Sequence, residues 1–156
     1  MKFSESKKNL SLLFLVANLG VAQSLRGSLA KKKPQLGWNS WNCYGGGVTS
    51  ADLRSTADYF VSSGLAEIGY TYVITDDGWS SGRDSTTGEI IPDPDKFPDL
   101  ASGDLAAYIH GKNLKLGIYS AASSVVCSGR VGSLYHEVVD AVTFGKWGVD
   151  YVKYDK

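Results

Sequence analysis

The sequence predicts an α/β domain organised around a parallel sheet. Three observations carry that expectation: short β-branched or aromatic runs alternate with amphipathic stretches, acidic or aromatic residues recur where each run ends, and no low-complexity segment or short repeat breaks the cadence after Gln35. Alternation of this kind calls for right-handed crossovers, and polar groups at strand carboxyl ends place a site on that rim. A barrel and a doubly wound sheet both satisfy the pattern.

The first strand is read at Gln35 to Asn39. A helix then starts at Thr49, whose spacing to Asp52 is that of a capping box, and it buries Leu53, Ala57, Phe60 and Val61 before Gly64 stops it. Tyr70 to Thr75 forms the second strand and runs into Asp76-Asp77-Gly78-Trp79. A long loop with Pro92, Pro94, Pro98 and a turn at Gly88 leads to a helix around Leu100 to His110, where Leu105 and Ile109 stack and Asn113 takes the left-handed stop. Leu114 to Tyr119 is the third strand. The next helix, Ser133 to Trp147, places Leu134, Val138, Ala141 and Val142 on one face with Gly148 at its end, and the fourth strand is Asp150 to Asp155.

Composition narrows the function classes. Of 156 residues, 43% are hydrophobic and 21% charged, the balance of an ordinary globular domain. Sixteen basic residues balance sixteen acidic ones, so the charge gives no reason to expect a nucleic-acid or anionic-membrane partner. A small neutral ligand suits it better. Lys2, Lys7 and Lys8, an apolar run from Leu10 to Leu19, and small residues near Ala22 and Ser24 have the order of a secretory signal, read as residues 1–24. That run is too short to span a bilayer, so the mature chain is expected to be secreted and without a membrane partner. Residues 25–34 read as a basic linker or propeptide, and 35–156 as the folded part.

Cys43 and Cys127 suit an oxidising compartment that would permit a disulfide, but they form no CxxC pair. His110 and His136 stand far apart on helical stretches, so neither a histidine metal site nor a Ser-His-Asp triad has material. Gly45-Gly46-Gly47 lacks the context of a phosphate cradle. No cofactor and no metal are expected.

The segments LGWNSW (36–41), DDGW (76–79), RDS (83–85), PDPDKFP (92–98), LKLGIYS (114–120), GSL (132–134) and WGVDYVKYD (147–155), in that order and spacing, resemble the melibiase family of glycoside hydrolases. The resemblance runs from about Gln35 to the last residue. It implies a (β/α)8 barrel, of which the first four βα units are expected here because such a barrel takes about 250 residues. It also implies hydrolysis of terminal α-linked galactose with retention of configuration, α-N-acetylgalactosaminidase being the nearest variant.

Retaining glycosidases use a carboxylate nucleophile and a second carboxyl group that serves as acid and then base. By resemblance Asp155, in its KYD setting, matches the nucleophile, and no residue matches the acid/base, which implies a truncated and inactive chain or a non-catalytic galactose-binding remnant. Lys153, two residues earlier on the same strand face, is expected to lend Asp155 positive charge, and the resemblance implies that it also donates to the sugar. An ordinary surface ion pair between the two is the competing reading. Asp76 and Asp77 match residues that accept from galactose hydroxyls, although an aspartate turn bonding nearby backbone is also compatible. Trp41 and Tyr119 match pocket residues, whereas Trp38 and Trp79 read as packing, and Arg83 with Asp84 as a pair that holds its loop. The resemblance gives Cys127 a partner just past Lys156, which leaves it free here or bridged to Cys43; Gly78 replaces a cysteine that many members carry. Oligomeric state is not legible.

Overall fold

The structure, a computed structural model, describes residues 34–156. The expected signal segment and all but the last residue of the basic linker therefore lie outside the described residues. A compact unit runs Gln35–Lys156. Its strands are β1 (Gly37–Asn39), β2 (Tyr72–Ile74), β3 (Ser80–Arg83), β4 (Ile90–Pro92), β5 (Lys115–Ala121) and β6 (Tyr151–Asp155). Its α-helices are α1 (Trp41–Tyr44), α2 (Ser50–Ser62), α3 (Asp104–His110) and α4 (Glu137–Lys146).

Four strands form one parallel sheet in the order β1-β2-β5-β6, and β3 pairs with β4 as a separate antiparallel hairpin. The order never reverses. A doubly wound sheet needs a reversal and helices on both faces, whereas α2, α3, Phe144 of α4 and Trp147 all pack into a single apolar cluster with Val73, Leu116 and Ile118 of the sheet. Sequential order with helices on one outer face is the arc of a (β/α)8 barrel.

Local chemistry explains the helices. Thr49 accepts from the amide of Asp52, whose carboxylate accepts in return from the Thr49 amide at 2.9 Å, closing the expected capping box. Thr49→Ala is expected to cost about 1 kcal/mol, read as a lower urea midpoint at unchanged slope. Leu53, Ala57 and Phe60 are buried as expected, but Val61 is 48% exposed, because it lies past the edge of the stripe that meets β2 and α3. Asn113 adopts the left-handed conformation, φ 58°, after α3.

The burial of α4 overturns the sequence reading. Val138 and Val142 are 81% and 54% exposed, Ala141 is exposed and Leu134 half-buried, while Asp140, Thr143 and Phe144 face inward. Two partners turn the helix this way. Phe144 meets Trp79 edge-on and Trp147 at a tilt, each at 5.9 Å between ring centroids. Asp140 receives both guanidinium nitrogens of Arg83, at 2.5 and 2.6 Å, and the hydroxyl of Ser133 at 2.6 Å. Arg83 also donates to the carbonyls of Gly88 and Gly132. It thus ties the β3–β4 hairpin to α4, and Asp84 organises the hairpin turn by accepting from the amides of Thr86 and Thr87 at 2.8 and 2.7 Å, contacts that hold its carboxyl below the usual carboxylate range. The pair holds its loop, as read.

Candidate functional site

Strand register decides which side chains can meet at the rim. Asn39 of β1 pairs with Ile74 of β2, Ile74 with Gly117 of β5, and Gly117 with Tyr151 of β6. Side chains two residues on share the same face, so the next row up holds Tyr119 of β5 and Lys153 of β6, with Asp155 one step higher on β6, while Trp41 opens α1 just after β1 and Asp76 follows the end of β2. This is the concave face, opposite the helices. Gly117 keeps it open: a Cβ there would lie 2.7 Å from Ile74 Cγ1.

The six residues singled out in the sequence divide into linked and loosely placed groups. Lys153 Nζ lies 2.6 Å from Asp76 Oδ2 and 5.1 Å from the centroid of the Tyr119 ring. Its stem therefore crosses β5 over an aromatic face to reach a carboxylate two strands away, a span of about 9–10 Å. Asp76 is nearly sealed, with a side chain 4% exposed, and a buried carboxylate demands a cation and donors. Its other oxygen accepts from the Asp77 amide at 2.9 Å, and its own amide donates to Ser40 Oγ at 2.9 Å.

This pairing corrects one expectation: Lys153 serves Asp76, and no salt bridge joins it to Asp155 among the described residues. The exposed Asp155 is solvated and competes poorly for the cation. Its Oδ1 accepts from the Lys156 amide at 2.9 Å, and its Oδ2 faces the Tyr119 hydroxyl at 3.4 Å.

Asp77 is also buried, and both its oxygens are used: Ser128 donates its amide and its hydroxyl to them, each at 2.8 Å. The turn reading thus describes one contact of Asp76, while Asp77 reaches a loop far along the chain. Nothing in the sequence pattern flagged Ser128, since its role comes from a contact across 51 positions. Trp41, 43% exposed on α1, lines a cavity of about 330 Å³ with Asn39, Asn42, Ile74, Tyr151 and Lys153. Asn39 and Tyr151 were also missed, although strand parity with Lys153 would have found Tyr151.

Tyr119 is buried, and its hydroxyl lies 3.8 Å from Cys127 Sγ. Burial first, then the hydrogen bond and charge of Cys127 and the carboxylates of Asp155 and Asp77, push its phenol above the ordinary value of about 10. A raised phenol pKa means the native state holds its proton more tightly than the unfolded chain, so Tyr119 costs no stability below about pH 10 and subtracts stability as pH climbs past that value. In a spectrophotometric titration, Tyr119→Phe should remove a late-ionising component from the phenolate signal and leave the earlier ones unchanged.

Trp79 is packing, as read: it is buried and its indole donates to the Tyr119 carbonyl at 2.8 Å, while Trp38 meets Tyr44 edge-on. Cys43 and Cys127 are both free and exposed, so the disulfide that an oxidising compartment would permit does not join them. His110 lies at the opposite end of the sheet, against Asp150 at 2.8 Å. No cluster of metal-ligating side chains occurs among the described residues, and no described helix is long and apolar enough to cross a membrane.

Comparison with known proteins agrees with this architecture. The family model Melibiase_2, described as alpha galactosidase A, matches residues 34–156. The chain is 50% identical over 126 residues to probable alpha-galactosidase B of Neosartorya fischeri, covering 80% of this chain and 28% of that protein. It is 49% identical over 124 residues to alpha-galactosidase 3 of Arabidopsis thaliana, again covering 80% of this chain and 28% of the relative. The crystal structure of an α-galactosidase from Saccharomyces cerevisiae superposes with a TM-score of 0.75 at 43% identity, over 79% of this chain and 27% of that one. A putatively assigned α-N-acetylgalactosaminidase from Bacillus halodurans, at 24% identity and a TM-score of 0.66, shares the fold. The chain spans little more than a quarter of the length of the curated relatives it matches. With its barrel arc and these matches together, the chain belongs to the melibiase family of α-galactosidases.

Proposed function

We propose that this chain carries the nucleophile and much of the galactose subsite of a retaining α-galactosidase. The observation that carries the reading is the Lys153–Asp76 bridge laid over Tyr119, with Asp155 one step above it on the same strand face. In the first step an oxygen of Asp155 forms a bond to the anomeric carbon as the bond to the leaving oxygen breaks, and that oxygen takes a proton from an acid. In the second step water displaces the enzyme carboxylate, giving up its proton to the conjugate base of that acid. Tyr119, retaining its proton, faces Asp155 as a neutral donor. Lys153, Asp76 and Asp77 meet sugar hydroxyls, and the exposed ring of Trp41 covers the C–H surface between them.

The acid is assigned to no described residue. Asp76 is engaged by Lys153, and Asp77 by Ser128, so neither carboxyl is free at the rim. Binding of galactose without turnover by the 156-residue chain follows from the same reading. The substrate class is terminal α-galactosides. Support comes from the relatives' names and from a yeast α-galactosidase solved with raffinose, 43% identical over 78% of this chain. The apolar run at Leu10 to Leu19 supports export from the cell as part of the proposal.

Calorimetry of the 156-residue chain tests the subsite. Galactose should bind and glucose, which differs in one hydroxyl orientation, should bind at least about tenfold more weakly, since a misplaced hydroxyl forfeits a hydrogen bond to a charged group of the subsite. Equal affinity for both sugars, or none for galactose, would remove the subsite assignment.

A further inference from the structure

The amide of Asn39 is half accounted for. Its Oδ1 accepts from the Trp41 amide at 3.0 Å, an aspartate-like turn that fixes which way the side-chain amide points. Its Nδ2 is buried and has no partner among the described residues. Buried donors are rarely left unpaired, and each exception calls for a physical reason.

The surroundings supply one. Asn39 lines the open cavity of about 330 Å³ that Trp41 and Lys153 also border, on the row that Gly117 leaves open. Asn42 adds a polar side chain to that lining, Trp41, Ile74 and Tyr151 add aromatic and apolar surface, Lys153 borders it with its ammonium drawn to Asp76, and no carboxylate lines it. A lining of this kind suits an uncharged occupant with acceptor oxygens on an otherwise apolar frame. We propose that Asn39 is a further binding residue of the site: Nδ2 donates to a hydroxyl oxygen in this cavity, that of the sugar when bound and of a water otherwise, while Oδ1 holds Trp41 at the entrance. The inference rests on the galactose reading only for the identity of the bound sugar.

Nuclear magnetic resonance of the 156-residue chain tests it. In the sugar-free protein the Asn39 side-chain amide protons should show cross-relaxation from a bound water, and galactose should shift them and abolish that transfer. Asn39→Ser keeps an oxygen two residues before Trp41 but withdraws the donor, so the Trp41 backbone amide should stay in place while galactose affinity falls about 3- to 10-fold. Wild-type affinity in a folded Asn39→Ser, or side-chain amide protons that are dry and unmoved by galactose, would overturn the proposal. If Asn39→Ser does not fold, the wild-type titration decides on its own. If the wild-type chain binds no galactose, the galactose reading fails separately. The donor assignment is then settled by the water arm: transfer supports it and a dry amide refutes it.

Discussion

Asp140→Ala is expected to lower the stability of the domain by about 3–5 kcal/mol, the cost of breaking a buried ion pair by removing one partner. The Asp140 side chain is 2% exposed and that of Arg83 12%, so the abandoned guanidinium would stay among the carbonyls of Gly88 and Gly132 with its charge uncompensated. Ser133, which donates to the same carboxylate and sits 2.5 Å from Ser120 of β5, would lose its acceptor as well. The loss is a large fraction of the stability of a typical domain. The measurement is denaturant unfolding followed by circular dichroism. Arg83→Met should behave similarly, and the double variant should be less destabilised than the two single effects summed, since each single change leaves one buried charge behind. Simple additivity would mean that the pair does not couple the hairpin to α4.

Lys153→Met carries the second large effect, and it divides between folding and binding. The Lys153 side chain is 41% exposed and that of Asp76 4%, so the carboxylate loses most when the cation goes. A cost of about 1–3 kcal/mol is expected, below that of the Arg83 pair because solvent reaches one member. Methionine keeps the apolar stem that lies against Tyr119 and removes only the charge. Galactose affinity should fall by about 10- to 100-fold, the worth of a charge-assisted hydrogen bond. A variant that loses stability but keeps its affinity for galactose would show that Lys153 is a structural partner of Asp76 and nothing more.

Much of this arrangement was readable from residues on a single strand. Parity along β6 puts Lys153 and Asp155 on one face, and the strand after Asp150 could be recognised from its β-branched and aromatic residues. What parity cannot supply is the partner on another strand. Lys153 was expected beside Asp155 because they are neighbours in sequence, but the deeper Asp76, nearer the sheet's sealed interior, has the greater need of a cation. The α4 face was misread for a related reason. Val138 and Val142 look like core residues at helical spacing, yet the helix turns Asp140 inward because Arg83, 57 positions earlier, waits there. Long-range charge pairs override local hydrophobic patterning, and periodicity does not register them.

The β3–β4 hairpin escaped notice because its strands, Ser80–Arg83 and Ile90–Pro92, carry serine, glycine and proline and pair with a register irregularity between Ser80 and Gly82. It is held by Arg83 and by the burial of Ile90 in the core rather than by strand propensity, and the exposed pair of Lys146 with Glu89 at 2.9 Å adds little. The capping box of α2 and the left-handed Asn113, by contrast, depend on residues within one turn, and both were legible in full.

The nucleophile assignment is open to direct chemical trial in the chain as it stands. A ring-fluorinated galactosyl fluoride carries a leaving group that departs without help from an acid, so attack by Asp155 should expel fluoride and leave the sugar esterified to that side chain. Peptide mapping by mass spectrometry should find the adduct on the segment containing Asp155 and find none in Asp155→Asn. A sugar ester on another carboxylate, or labelling that persists in Asp155→Asn, would contradict the account.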